Sequence, residues 1–281
     1  MKKPQWITVI IAIGLIAVLY IFGRTIPLKS PVSPQSAIMQ IEQGITSDSI
    51  LILSKKQLTP EQVVRLNTLE NSISRGNVKE QQLNVYHQLA HFWADSAQVF
   101  EPYAFYEAEA ARLENSEKSL NFAARLFLEN LQSDNEVQRR KWKALQAKDL
   151  FERSLKINPD NDSTKVGLGA CYLFGNISST PMEGILKIRE VAEKDSTNVY
   201  AQMMLVKGSL LSGQYDKAII RLQTINRLEP GNPEAILLLA DMYERTGDKA
   251  NAIIWYQHSL QIITQPEAKK EIEKRIEELR K

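Results

Sequence analysis

Two stretches of the chain share one register. Residues 210–220 read LLSGQYDKAII and residues 244–254 read ERTGDKANAII. Gly213 and Gly247 lie 34 residues apart, as do Ala218 and Ala252, and Leu205 and Leu239. Self-similarity at such an interval marks a supersecondary unit that cannot bury its apolar face alone and is closed by stacking on the next copy. A glycine among charged residues also suits a phosphate loop, but neither copy carries a P-loop pattern. The register is therefore read as structural.

Counted from Val199, the residues Leu205, Gly213, Ala218, Ile219 and Ile220 coincide with Leu239, Gly247, Ala252, Ile253 and Ile254, and Leu222 with Tyr256. The pattern resembles the tetratricopeptide repeat, a helix–turn–helix unit. The resemblance implies that Ile236, Leu239, Ala240 and Tyr243 mark helix A of the last unit, Gly247 its turn, and Ala252, Tyr256 and Ser259 helix B, with the closing proline displaced to Pro266. In the unit before, these roles fall to Leu205, Val206, Gly213, Ala218, Leu222, Ile225 and Pro230. Gln202 and Ser209 depart there from the two large positions of helix A. The chemistry suits the assignment. Ala218, Ala240 and Ala252 are small where two helices cross, and Gly213 and Gly247 can take the left-handed conformation that ends a helix. Asp248 can cap helix B, and Pro230 stops the preceding one.

One unit upstream, Leu168, Gly169 and Tyr172 fit helix A, and Gly184, Ile188 and Val191 fit helix B, with a three-residue insertion that makes the unit 37 long. Before it, Ala147, Phe151, Ser154 and Pro159 keep helix-B spacing. Farther back the match loosens to an alanine-rich helical periodicity, with Leu89, Ala90 and Trp93 as a candidate helix A. Thr59, Pro60 and Gln62 form a capping-box start for a helix with the stripe Leu66, Leu69 and Ile73. Ile272, Ile276 and Leu279 line one face of a highly charged last helix, as expected of a solenoid cap. Residues 47–56, SDSILILSKK, fit a strand or a helix on periodicity alone.

The N-terminus is of another kind. Residues 4–23, PQWITVIIAIGLIAVLYIFG, carry no charge, and as a helix such a segment is about 30 Å long, the thickness of a bilayer's hydrocarbon core. Trp6 and Tyr20 lie near its ends, where amphipathic rings favour the interface. A cleaved signal peptide is the rival; the long apolar run and the missing small-residue cleavage site favour a retained anchor. Pro27, Pro31 and Pro34 then deny a continuous helix and suit an extended spacer.

The expected fold is thus all-α, a right-handed tetratricopeptide-type solenoid preceded by one transmembrane helix. Its expected segments are an anchor at 1–23, a linker at 24–36, a helical extension at 37–80, a degenerate repeat region at 81–143, repeats at 144–265 and a capping helix at 266–281. The expected location is the inner (cytoplasmic) membrane, with the N-terminus in the cytoplasm and the body outside it.

Charge and chemistry narrow the function. Lys2, Lys3, Arg24 and Lys29 are the only charged side chains before Ser30, which leaves 31 basic and 33 acidic residues for the rest. A near-neutral body argues against nucleic-acid binding. Cys171, the single cysteine, excludes an internal disulfide and a cysteine-based zinc cluster. His87 and His91 in HQLAH share a helix face, yet Gln88 stands where a zinc peptidase needs glutamate; a metallopeptidase is the remote alternative. Gly167 and Gly169 lack the third glycine of a dinucleotide fingerprint. The run RRKWK, Arg139 to Lys143, is read as a solvated helix face. No catalytic, cofactor-binding or metal residues are assigned, no cofactor is expected, and the chain is expected not to be an enzyme.

What remains is the groove. The resemblance implies that helix A lines a concave surface where partner peptides bind. Those positions are Val166, Ala170, Leu173 and Phe174 in the 37-residue unit, and Tyr200, Met203, Lys207, Leu210 and Leu211 in the next. In the last unit they are Glu234, Leu237, Asp241, Glu244 and Arg245. Many are apolar, as for a surface that binds an apolar peptide or helix. A clamp for a C-terminal carboxylate is not indicated, since Met204 and Leu238 stand where asparagine is wanted. The expected function is a membrane-anchored, non-enzymatic scaffold for a protein partner. The alternatives are an envelope protein that self-associates into an oligomer, or a groove covered by the chain's own helices.

Overall fold

The computed structural model describes residues 45–73, 78–177 and 181–281. The expected anchor, the linker and residues 37–44 of the extension lie outside them. No helix among the described residues is long and apolar enough to cross a membrane.

The described residues are all-helical, without a strand. Residues 47–55, ambiguous in sequence, form α1 (Ser47–Lys55), started by a capping box between Thr46 and Ser49. α2 (Pro60–Ile73) begins with the expected box: the Thr59 amide donates to Gln62 Oε1 at 3.0 Å and the Gln62 amide to Thr59 Oγ1 at 3.3 Å. Five hairpins follow. They are α3 (Lys79–His91) with α4 (Phe100–Glu114), α5 (Glu117–Leu131) with α6 (Val137–Ile157), and α7 (Asp162–Phe174) with α8 (Met182–Lys194). Then come α9 (Val199–Leu211) with α10 (Tyr215–Leu228), and α11 (Pro233–Arg245) with α12 (Lys249–Ile262). α13 (Pro266–Leu279) packs on α12 and buries Ile272, Ile276 and Leu279.

α1 packs on α4, from α2 onward each helix packs on the next, and first helices also meet one another, α5 on α7 and α7 on α9. This is a tetratricopeptide-like stack of hairpins, with one continuous core running from α4 to α11. The described residues all belong to one compact unit, Gly44–Lys281. The hairpins extend farther upstream than the clear repeat. The expected boundary at residue 144 falls inside α6, a 21-residue helix paired with α5. Its extra turns stretch the interval between α5 and α7 beyond the repeat length, which hid the hairpin from the 34-residue register.

Local chemistry sets the corners. Asn161, Asn198 and Asn232 cap α7, α9 and α11, each accepting the amide three residues on at 2.9–3.0 Å. Gly213 and Gly247 have φ of 68° and 84°. Beyond them the amides of Gln214 and Asp248 reach back to Ser209 O and Tyr243 O at 2.9 Å, the wide bond of a Schellman turn. Asp248 accepts the Asn251 amide at 3.1 Å and starts α12, as its sequence position implied. Ala218, Ala240 and Ala252 are fully buried.

The α7–α8 crossing is tight. A Cβ on Gly184 would stand 2.3 Å from Gly169 O, and one on Gly169 only 2.6 Å from Ile188 Cγ1. Two glycines let these backbones meet.

The run RRKWK is not a solvated face. Lys143 is 2% exposed, its ammonium 2.6 Å from Asp134 and 2.7 Å from Glu101, and Arg139 binds Asp134 through two guanidinium nitrogens. Trp142 is buried against Phe127. Carboxylates from α4 and from the α5–α6 loop neutralise these cations, and Lys141 alone of the run is exposed.

Candidate functional site

The C-terminal ends of α7 and α9 enclose a cleft of about 440 Å³. Leu173 and Phe174 line it from α7, and Lys207, Leu210 and Leu211 from α9. All five are among the groove positions read from the sequence. Gln132 at the end of α5, Arg140 in the first turns of α6, Tyr172, Asn176 and Pro181 complete the wall. Leu211 is 67% exposed, whereas Leu210 and Phe174 are half-buried. α7 and α9 come close because Gly208 has no side chain; a Cβ there would touch Leu173 at 3.1 Å.

The other groove positions lie elsewhere. Val166 and Ala170 are fully buried, and Met203 is 6% exposed. α7 sits between α5 and α9 with α8 behind it, so its middle turns face neighbours and not solvent. Only the last turn, past the crossing, opens outward. Tyr200 is half-buried under the Arg125 guanidinium at 5.8 Å, and burial raises its phenol to about 12. In the last unit, Leu237 packs with Ile263, Ile272 and Ile276 under α13. Glu244 is held by Arg275 of α13 and by the Tyr256 hydroxyl at 3.1 Å. Hydrogen bonding from Arg275 is the main cause that holds its carboxyl below the ordinary range. Asp241 pairs with Arg245 at 2.8 Å, and Arg245 lies over the Tyr215 ring at 5.7 Å. Of the last unit's groove positions, the chain's own cap therefore covers Leu237 and Glu244, whereas Asp241, Arg245 and Glu234 have partners outside it.

The rim of the open cleft is basic. Lys207 Nζ reaches Glu234 at 3.1 Å, a residue also among the groove positions. Arg140 Nη1 donates to Asp134 O at 3.5 Å, while its buried Nε has no partner among the described residues. Arg140 was absent from the groove positions because its neighbours in RRKWK look alike in sequence. Only their different partners tell them apart.

The candidate metal pair does not converge on one ligand set. His87 Nδ1 approaches Glu107 at 3.5 Å and His91 Nδ1 approaches Asp95 at 3.3 Å. Among the described residues no three metal-ligating side chains cluster. Cys171 is buried, its thiol donating to Gly167 O at 3.3 Å, and burial pushes its pKa well above the usual thiol range.

No protein-family model and no curated protein matches the sequence. Among solved structures, the chain is similar to a tetratricopeptide repeat protein from Parabacteroides merdae ATCC 43184, at 12% identity and TM-score 0.46, over 84% of this chain and 99% of that one. It is similar to YrrB, a TPR protein with an unusual peptide-binding site, at 15% identity and TM-score 0.43, over 73% and 97% of the two chains. MamA from Desulfovibrio magneticus RS-1, from residue 41 to its end, gives 19% and 0.45, over 64% and 94%. No partner or role follows from these likenesses.

Proposed function

We propose that the chain is a membrane-tethered, non-enzymatic scaffold that captures an extended apolar segment of a partner protein in the cleft between α7 and α9. The observation that carries this reading is the juxtaposition of Leu210, exposed Leu211 and Phe174 with the cationic side chain of Arg140 in one cleft of about 440 Å³. Ligand pockets span about 300–1,000 Å³ and combine an apolar wall with a few polar groups. The leucines would take an aliphatic side chain, and Arg140 a backbone carbonyl or carboxylate. Tethering rests on the uncharged residues 4–23, with the body placed outside the cytoplasm.

A photo-crosslinking side chain at Leu211 in intact cells tests the capture, with Ile254, exposed on α12, as the control position. One partner crosslinked from 211, absent from 254 and lost in Leu210→Asp, supports the reading. Equal labelling from both positions, or labelling indifferent to Leu210→Asp, overturns it. A crosslinked dimer of this chain would assign the cleft to self-association instead. Protease added outside sealed, outer-membrane-permeabilised cells is expected to degrade the body; a protected body refutes the orientation.

A further inference from the structure

The two positions at which the register departs from its own pattern, Gln202 and Ser209, line two further clefts. Both lie on the side of α9 away from Lys207, Leu210 and Leu211. One, of about 260 Å³, is bordered by Ile185 and Arg189 of α8, Ser209 of α9, and Lys217 and Arg221 of α10. The other, of about 420 Å³, is bordered by Gln202, Lys217, Arg221 and Arg227, with Ile220 and Leu228 beside them. Sharing Lys217 and Arg221, the two form one elongated depression. It shares no lining residue with the apolar cleft between α7 and α9.

The departures explain the depression. The counterpart of Ser209 in the last unit is Tyr243, whose ring packs against the core and whose hydroxyl accepts from Gln223 at 2.8 Å. The Ser209 hydroxyl turns back to Leu205 O at 2.9 Å and leaves that space open. The counterpart of Gln202 is the fully buried Ile236. Gln202 is 7% exposed and satisfied at both ends: Nε2 donates to Ser196 O at 3.1 Å, and Oε1 accepts from Arg221 Nη1 at 2.7 Å. A buried amide survives only when so bonded, and this one fixes the guanidinium at the mouth of both clefts.

Charge points the same way. Arg189, Lys217, Arg221 and Arg227 form no ion pair among the described residues, and Lys217 Nζ binds only the neutral Gln214 Oε1, at 2.6 Å. Burial first, then the positive charge of Arg189, draws the Arg221 pKa below the ordinary arginine range. Glu193 opposes this without pairing. Glu190 and Asp216 adjoin Arg189 and Lys217 in sequence, a spacing at which helical side chains do not face one another. Four cations thus border one depression with no carboxylate in ion-pair contact, Glu193 acting on Arg221 only from farther off.

We infer that this depression is a docking site for an acidic peptide, an extended segment whose carboxylates alternate with aliphatic side chains. Lys217 and Arg221 are one turn apart, about 6 Å, and Arg227 lies about 15 Å from Lys217 along α10. Same-face residues of an extended chain repeat every ~7 Å, so successive carboxylates match cations spread too widely for one phosphate. Ile220 and Leu228, 65% and 38% exposed, offer apolar contact.

The test is fluorescence anisotropy of the full chain with a labelled hexapeptide alternating glutamate and leucine, against the same peptide with glutamine replacing glutamate. Saturable binding of the acidic peptide alone is expected. Arg189→Gln and Lys217→Gln should each weaken it at least about fivefold, while Leu211→Asp, in the other cleft, leaves it unchanged. Ser209→Tyr, which restores the large residue of the repeat, should abolish it with helicity retained. Arg221→Gln can disturb folding through Gln202; Arg189 makes no hydrogen bond among the described residues, so its variant decides. Equal binding of the neutral peptide, or wild-type affinity in Arg189→Gln, overturns the site. Displacement by pyrophosphate at lower concentration than by unlabelled acidic peptide overturns the peptide assignment in favour of a small anion.

Discussion

Lys143 Nζ lies 2.6 Å from Asp134 Oδ2, with each side chain 2% exposed. Asn130 Oδ1 at 2.6 Å and Glu101 at 2.7 Å occupy the remaining ammonium donors. α4, α5 and α6 are thereby pinned by one buried cation. Removing one partner from such a cluster strands the other's charge, so Lys143→Ala should cost about 3–5 kcal/mol. Urea unfolding followed by circular dichroism measures it; a loss below about 1 kcal/mol would contradict the pinning role.

Asp134 gives the cluster a pH dependence. Burial alone would raise its carboxyl, but hydrogen bonds from Arg139, Lys143 and the Glu136 amide outweigh it and hold the pKa well below the carboxylate range. A depressed folded-state pKa contributes stability above the unfolded value, about 3.9, and loses it as pH falls toward the folded value. The stability gap between wild type and Asp134→Asn should be constant from about pH 6 to 8 and shrink below about pH 4. A gap that widens on acidification would contradict this sign.

Glycine substitutions distinguish a turn from a contact. Gly213 has φ of 68° and open space around it, whereas Gly184 has Gly169 O at 2.3 Å from any Cβ. Gly213→Ala should cost about 1 kcal/mol, the strain of a left-handed alanine. Gly184→Ala must push α7 and α8 apart and should cost about 2–3 kcal/mol. Melting temperatures of the pair settle the order, and equal losses would speak against the tight crossing.

Cys171 is a built-in reporter. It is the one cysteine of the chain, and it is fully buried in α7. Its alkylation should be undetectable in the native state and rise in step with global unfolding as urea increases. Rapid labelling without denaturant would show that α7 opens on its own.

Fold and binding separate between two leucines of the apolar cleft. Leu173 is 8% exposed and touches α9, so Leu173→Ala should destabilise by about 2–3 kcal/mol. Leu211 is 67% exposed, and Leu211→Ala should stay within about 0.5 kcal/mol. Thermal unfolding of the two variants checks this. Binding assays therefore belong on Leu211, since a charge at Leu173 or Met203 would disturb the core first.

What the residues determine alone is local. The left-handed glycines at 213 and 247, the Asp248 cap, the Thr59–Gln62 box and the stripe of α13 all depend on side chains within a few positions of one another. Such features can be read in order along the chain, because their partners are nearby in sequence. The departures at Gln202 and Ser209 were equally visible, but only as irregularities.

Tertiary structure decided which faces stay open and which charges stay free. Arg139, Arg140 and Lys143 read alike, yet one is paired, one borders a cleft with a bare Nε and one is buried, because Asp134 and Glu101 arrive from other elements. Val166 and Leu211 both follow the groove register, but α5 and α8 enclose the first while the second lies past the last helical crossing. Burial is set by distant neighbours, and those neighbours are placed by packing that no local pattern encodes.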